Sequence, residues 1–156
     1  MQPATALLVS SADLNWVGLR AILANWPEVH VIDDVQQCAY AVPIAARDHP
    51  DLILVASDLA GLRLVPLVRD LRLASPCSQI VVLGKLLEPE AHRQLDDLDV
   101  ACFVPWKTMT PGRIRGALAA VRAGGLYVGC KEEIYLTGRA PHATFTRDYS
   151  RRVARK

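Results

Sequence analysis

Long apolar runs are missing from this chain of 156 residues, of which 51% are hydrophobic. No stretch approaches the roughly 20 residues that a membrane-spanning helix needs, so a soluble protein without membrane contact is expected. The start, Met1 to Ala6, lacks a positive patch followed by an apolar segment, so nothing points to export and a cytoplasmic location is expected. Paired cysteine spacings are missing too. Cys38, Cys77, Cys102 and Cys130 stand far apart, which argues against zinc sites and redox pairs and predicts reduced, mostly buried thiols.

What is present fits one domain of ordinary size, long enough to bury a core without staples. The net charge of +2 conceals an asymmetry. Lys131 to Lys156 carries Lys131, Arg139, Arg147, Arg151, Arg152, Arg155 and Lys156 against Glu132, Glu133 and Asp148, which leaves +4 there and −2 in the body. A basic tail of this kind either is solvated or meets an anionic partner; contact with nucleic acid through it is an alternative, not the preferred reading.

Five short apolar runs read as strands: Ala6 to Val9, Val29 to Ile32, Leu52 to Val55, Ile80 to Leu83 and Ala101 to Val104. Their continuous apolarity suits parallel strands covered on both faces. Between them lie helical patterns. The first carries Leu14, Gly18 and Ile22 as its inward stripe, opens after Ser10 and Ser11, and closes before Pro27; others fit residues 36–48, 61–74 and 88–97. A fifth runs from about Thr110, an N-cap with Pro111 at the first helical position, to Ala123, with Ile114, Ala117, Leu118 and Val121 inward.

Strand-helix alternation of this kind predicts a doubly wound α/β sheet of flavodoxin-like order 2-1-3-4-5. Its functional crevice lies at the carboxyl ends of the strands, beside the first and third. The residues placed there are Ser10, Ser11, Ala56, Gly84 and the loop after Val104. The first of these turns, Ser10-Ser11-Ala12-Asp13, has no glycine-rich phosphate loop. Flavin or nucleotide binding therefore has no support, and no cofactor is expected.

The segment PDLILVASDLAG, Pro50 to Gly61, resembles the third strand and loop of a bacterial response-regulator receiver. GLRAIL from Gly18, WPEVHVI from Trp26 and AAVRAGGLYVG from Ala119 to Gly129 extend the likeness over residues 5–130, and bring it nearest to receivers that precede a LuxR-type helix-turn-helix. The resemblance implies a receiver-like domain over residues 1–130 followed by a basic tail over 131–156, too short for the usual output domain.

The resemblance also implies a pocket that has lost its chemistry. Receivers accept a phosphoryl group on an aspartate with the help of a divalent ion, which requires a carboxylate nucleophile and hard oxygen ligands. Ala56 stands at the acceptor position, Ser10 and Ser11 at the acidic pair, Gly84 at the hydroxyl donor of the fourth strand and Val104 at the rotating aromatic; of the functional set Lys107 alone remains. Neutral hydroxyls are poor magnesium ligands, so no metal site is expected. Asp58 as a displaced acceptor would require the strand to advance two residues, and leaves Ser10, Ser11 and Gly84 unexplained.

Lys85, beside the crevice, is expected either to point into water or to pair with Asp58 or Asp13. Trp16 lies off the inward stripe of its helix and Trp106 interrupts a polar loop, so with Arg113, Arg115 and Arg122 they form the candidate interaction surface. Trp26 is expected to pack on the core, and His30 and His49 have no nucleophile or acidic orienter at recognisable spacing. The expected function is that of a non-enzymatic signalling or regulatory domain that works without aspartyl phosphorylation, through protein partners, homodimerisation or a small ligand; the alternative is a transcriptional regulator or a fragment of one, with the basic tail contacting nucleic acid.

Overall fold

The computed structural model describes residues 2–58, 64–85 and 87–122. The tail 131–156, the end of the AAVRAGGLYVG motif, Gly61 and Cys130 lie outside the described residues. Five parallel strands, β1 (Ala4–Val9), β2 (Val29–Val35), β3 (Leu52–Ala56), β4 (Gln79–Gly84) and β5 (Cys102–Pro105), form one sheet in the order β2-β1-β3-β4-β5. The helices are α1 (Leu14–Ala24), α2 (Cys38–Asp48), α3 (Leu64–Ala74), α4 (Pro89–Asp97) and α5 (Pro111–Arg122). This is the flavodoxin-like order that the alternation predicted.

The apolar runs form the sheet because both faces are covered: every residue of β3 is buried, and β4 is buried from Ile80 onward. α5 begins where the sequence placed it. The Thr110 hydroxyl accepts the Arg113 amide at 3.2 Å, Pro111 is the first helical residue, and Ile114, Ala117, Leu118 and Val121 face the core.

α1 is turned relative to the predicted stripe. Trp16, Leu19 and Leu23 are its buried residues, whereas Leu14 is 83% exposed. Spacings of three and four place Trp16, Leu19 and Leu23 on one side of the helix as well as they place Leu14, Gly18 and Ile22 on another. Burying the indole removes far more apolar surface from water than burying Leu14 beside a glycine, so the tryptophan sets the rotation. Asp13, not Ser10 or Ser11, is the N-cap: its carboxylate accepts the Asn15 amide at 2.8 Å.

β2 contains a bulge. Val31 pairs with Ala6 and Asp33 with Leu7, so Ile32 is an extra residue without a partner on β1. One inserted residue reverses the alternation of side chains beyond it. Val31 and Asp34 therefore share the face that looks toward α1, and Asp33 takes the other. At the opposite end of the sheet, Arg72 donates to the carbonyls of Leu98, Pro76, Ser78 and Asp99 at 2.7–3.1 Å, tying the loops before β4 and β5 together.

The thiols depart from expectation. Cys77 is exposed and Cys38 half-buried, and Cys102, buried in β5, is disulfide-bonded. The spacing of cysteines along a chain does not determine which sulfurs the fold brings together.

Candidate functional site

The crevice at the carboxyl ends of the strands is built from residues 10, 56, 57 and 84. β3 ends at Ala56, which is fully buried. The chain then turns at Ser57, whose amide donates to the Leu83 carbonyl at 2.9 Å and whose hydroxyl donates to the Lys85 carbonyl at 3.0 Å. Ser57 is 5% exposed, so these bonds satisfy a side chain that water does not reach.

Gly84 lies against this serine with φ 150°, a region open essentially to glycine. A β-carbon there would overlap the Ser57 hydroxyl oxygen and come within 3.1 Å of both the Ser57 Cβ and amide nitrogen. Two obstacles therefore exclude a hydroxyl-bearing side chain at position 84: the backbone disfavours any Cβ, and Ser57 holds the space. The sequence pointed to Gly84 as a loss; it gave no sign that Ser57 fills the gap.

On the other side of β1, Ser10 is fully buried. Its amide donates to the Val35 carbonyl at 2.9 Å, its hydroxyl donates to Asp34 Oδ1 at 2.6 Å, and the hydroxyl oxygen accepts from Arg20 Nη2 at 2.7 Å. Arg20 Nε pairs directly with Asp34 Oδ2. The three residues close a ring: α1 supplies the cation, the bulged β2 the carboxylate, and β1 the hydroxyl between them. The carboxylate nearest Ser10 is thus neutralised internally, leaving it poorly suited to hold a divalent ion. Among the described residues no group of three or more His, Cys, Asp or Glu side chains is arranged to hold a metal.

Ser11 lies outside this ring, and its hydroxyl faces the Asp13 amide at 3.4 Å. The charge pair considered for Lys85 does not form. Asp13 is committed to the start of α1, Lys85 is exposed, and no ion pair joins it to Asp13 or Asp58. Asp58 keeps one carboxylate oxygen, Oδ1, buried and without a hydrogen bond. Lys107 is exposed within the short 3-10 turn Trp106–Thr108 after β5.

The aromatic candidates need correction. Trp16 is wholly buried, and Trp106, half-buried, meets it edge to face with ring centroids 5.5 Å apart. Their contact ties α1 to the turn after β5, so Trp16 belongs to the core. Arg122 is also spent on the fold: it donates to the carbonyls of Glu28 and Gln2 at 3.1 and 3.0 Å. Arg115 is exposed and Arg113 half-buried on α5. Among the described histidines, it is His92 that enters the core, with its ring 4.9 Å from that of Phe103 and edge to face with it.

An outward apolar surface lies on α1, on the side that the apolar spacing assigned to the core. Leu14 is 83% and Val17 54% exposed, Gly18 and Ala21 are exposed beside them, and Arg20, the one charge of the helix, is held by Asp34. A groove of about 200 Å³ runs from Leu14 and Gly18 to Trp106, Met109 and Pro111.

No protein-family model matches the chain, and no curated protein matches it in sequence. Solved structures do. A two-component response regulator of the LuxR family from Aurantimonas sp. SI85-9A1 superposes with a TM-score of 0.73 at 18% identity, over 86% of this chain and 96% of that one. The isolated REC domain of RcsB from Salmonella enterica serovar Typhimurium, in the apo form, gives 0.71 at 16% identity over 85% and 96%. The signal receiver domain of the putative response regulator NarL from Mycobacterium tuberculosis gives 0.70 at 18% identity over 80% and 99%. In a longer RcsB structure the match covers 66% of that chain. The fold is that of a response-regulator receiver.

Proposed function

We propose that this protein is a phosphorylation-independent pseudo-receiver, a cytoplasmic signalling or regulatory domain that acts by binding protein partners. The observation that carries the reading is the Ser57 hydroxyl packed against Gly84 at the end of β4. Where a receiver needs room for a phosphoryl group and a hydroxyl to bind it, this chain has a buried serine bonded to the backbone. Ala56 supplies no nucleophile, and the Ser10, Arg20 and Asp34 ring neutralises the neighbouring carboxylate without a metal. No catalytic role falls to any of these residues.

The uncharged face of α1 is the best-supported contact surface. Leu14 and Val17 expose apolar surface that nothing in the described chain covers, with the groove toward Trp106 and Met109 beside them. A protein partner or a second copy of the chain fits such a face, and a nucleic-acid backbone does not. The basic segment 131–156 would act as a separate tail and is the alternative route to nucleic acid.

The test is incubation of the purified chain with acetyl phosphate and magnesium, read by intact mass. An unmodified mass is expected. A hydroxylamine-sensitive phosphoryl adduct would overturn the proposal. Binding of mixed-sequence duplex DNA at moderate salt, abolished by removing the charges of Arg151, Arg152 and Arg155, would favour the alternative.

A further inference from the structure

Gly18 sits in the middle of α1, and its own chain does not ask for a glycine there. A β-carbon on it would meet no atom within 4 Å, and its backbone is helical without a positive φ. Glycine is the poorest helix former after proline, so the position weakens α1 without serving the fold of one protomer. What a glycine does allow is the close approach of another backbone.

Around Gly18 the outward side of α1 carries no charge. Leu14, Val17, Gly18, Ala21 and Ala24 recur at intervals of three and four, and all are exposed. Each of the other helices exposes a charged side chain: Arg47 on α2, Arg69 on α3, Arg93 on α4 and Arg115 on α5. The α1 face is also graded in size, with its large side chains toward the N-terminus and its small ones toward the C-terminus. A face of that kind is complementary to itself once reversed.

We propose, resting on the reading of α1 as the contact surface, that its occupant is a second copy of this chain, packed antiparallel about a two-fold axis beside Gly18. In such a contact every pairing occurs twice. With the axis between Val17 and Gly18, Leu14 of each protomer covers the partner's Ala21, and Val17 covers the partner's Gly18, so bulk meets a gap in each pairing. The lack of charge lets two identical faces meet without repulsion. The groove from Leu14 to Met109 continues the apolar surface beside the helix. A helix of eleven residues is about 16 Å long, so the contact is small and the dimer dissociates on dilution.

The experiment is sedimentation velocity of the full chain from micromolar to submillimolar concentration. The wild type should pass from monomer to dimer as concentration rises. Leu14→Asp and Ala21→Lys alter exposed positions and should fold, each raising the dissociation constant about tenfold or more. Mixed in equal amounts, the two variants should associate again, because the new carboxylate meets the new ammonium across the axis. Gly18→Gln has open space within one protomer, so it should raise the denaturation midpoint and yet weaken the dimer. A chain that stays monomeric at the highest concentration overturns the proposal, as does a dimer indifferent to these substitutions or a mixture that fails to associate. None of these results bears on phosphoryl acceptance, which the intact mass tests by itself.

Discussion

The hydroxyl of Ser57 occupies the space that a β-carbon on Gly84 would need. Two neighbouring strand ends thus exclude in concert what a receiver pocket requires. Gly84→Ser should destabilise the fold by about 2–4 kcal/mol, combining a φ of 150° with overlap in a packed interior. Ser57→Gly should recover part of that loss by removing the overlap, and not the part due to backbone strain. A double-mutant cycle on denaturation midpoints measures the coupling; additive effects would show that the two positions do not compete for space.

Ala56→Asp should not restore phosphoryl acceptance. Ala56 is fully buried at the end of an apolar strand, and the replacement places a carboxylate there without a metal or cation to pair with it. A cost of about 3 kcal/mol or more is expected, since an uncompensated charge in such a place is either neutralised or destabilising. Calorimetric titration with magnesium should show no binding to this variant. Heat of binding together with phosphorylation would mean that the pocket needs only its nucleophile.

The rotation of α1 separates two residues that look alike in sequence. Trp16→Ala should cost about 3–5 kcal/mol, because it empties a buried site between the helix and Trp106. Leu14→Ala should stay within about 0.5 kcal/mol, since 83% of Leu14 is already in water. Chemical denaturation of the two variants side by side checks this, and a large loss for Leu14 would return the helix to the orientation read from its apolar spacing.

That contrast also marks how far the sequence was legible. Continuous apolar runs such as Leu52 to Val55 and Ile80 to Leu83 declare themselves as covered parallel strands, and the order of the sheet follows from right-handed crossovers. Thr110 and Pro111 marked the start of α5 for the local reason that caps are local. α1 offered two apolar stripes, and local spacing cannot weigh an indole against a leucine; packing against the turn after β5 decides. At the candidate site, the residues that are absent were visible at Ala56, Ser10 and Gly84. What replaced them was not, because the Ser57 contact joins two strand ends and the Asp34 contact depends on a bulge at Ile32 that no residue type announces.

The same bulge gives the ring around Ser10 its own test. Arg20 and Asp34 have side chains 32% and 26% exposed, so water screens the pair in part, yet each also bonds the buried Ser10 hydroxyl. Arg20→Ala leaves Asp34 with one partner, and about 1–2 kcal/mol should be lost after allowance for that screening. Asp34→Asn keeps an acceptor for Ser10 and should cost less. If the ring holds α1 against β2, Arg20→Ala should also loosen the groove between them, seen as faster amide exchange at Val29 and Val31 with β4 unaffected. Deleting Ile32 removes the bulge but leaves Val31 and Asp34 two residues apart in a regular strand, still on the face toward α1, so the Arg20–Asp34 pair should survive it. A folded Ile32 deletion that loses the Arg20 pair would mean that the local backbone of the bulge, and not the register of β2 with β1, aims the carboxylate.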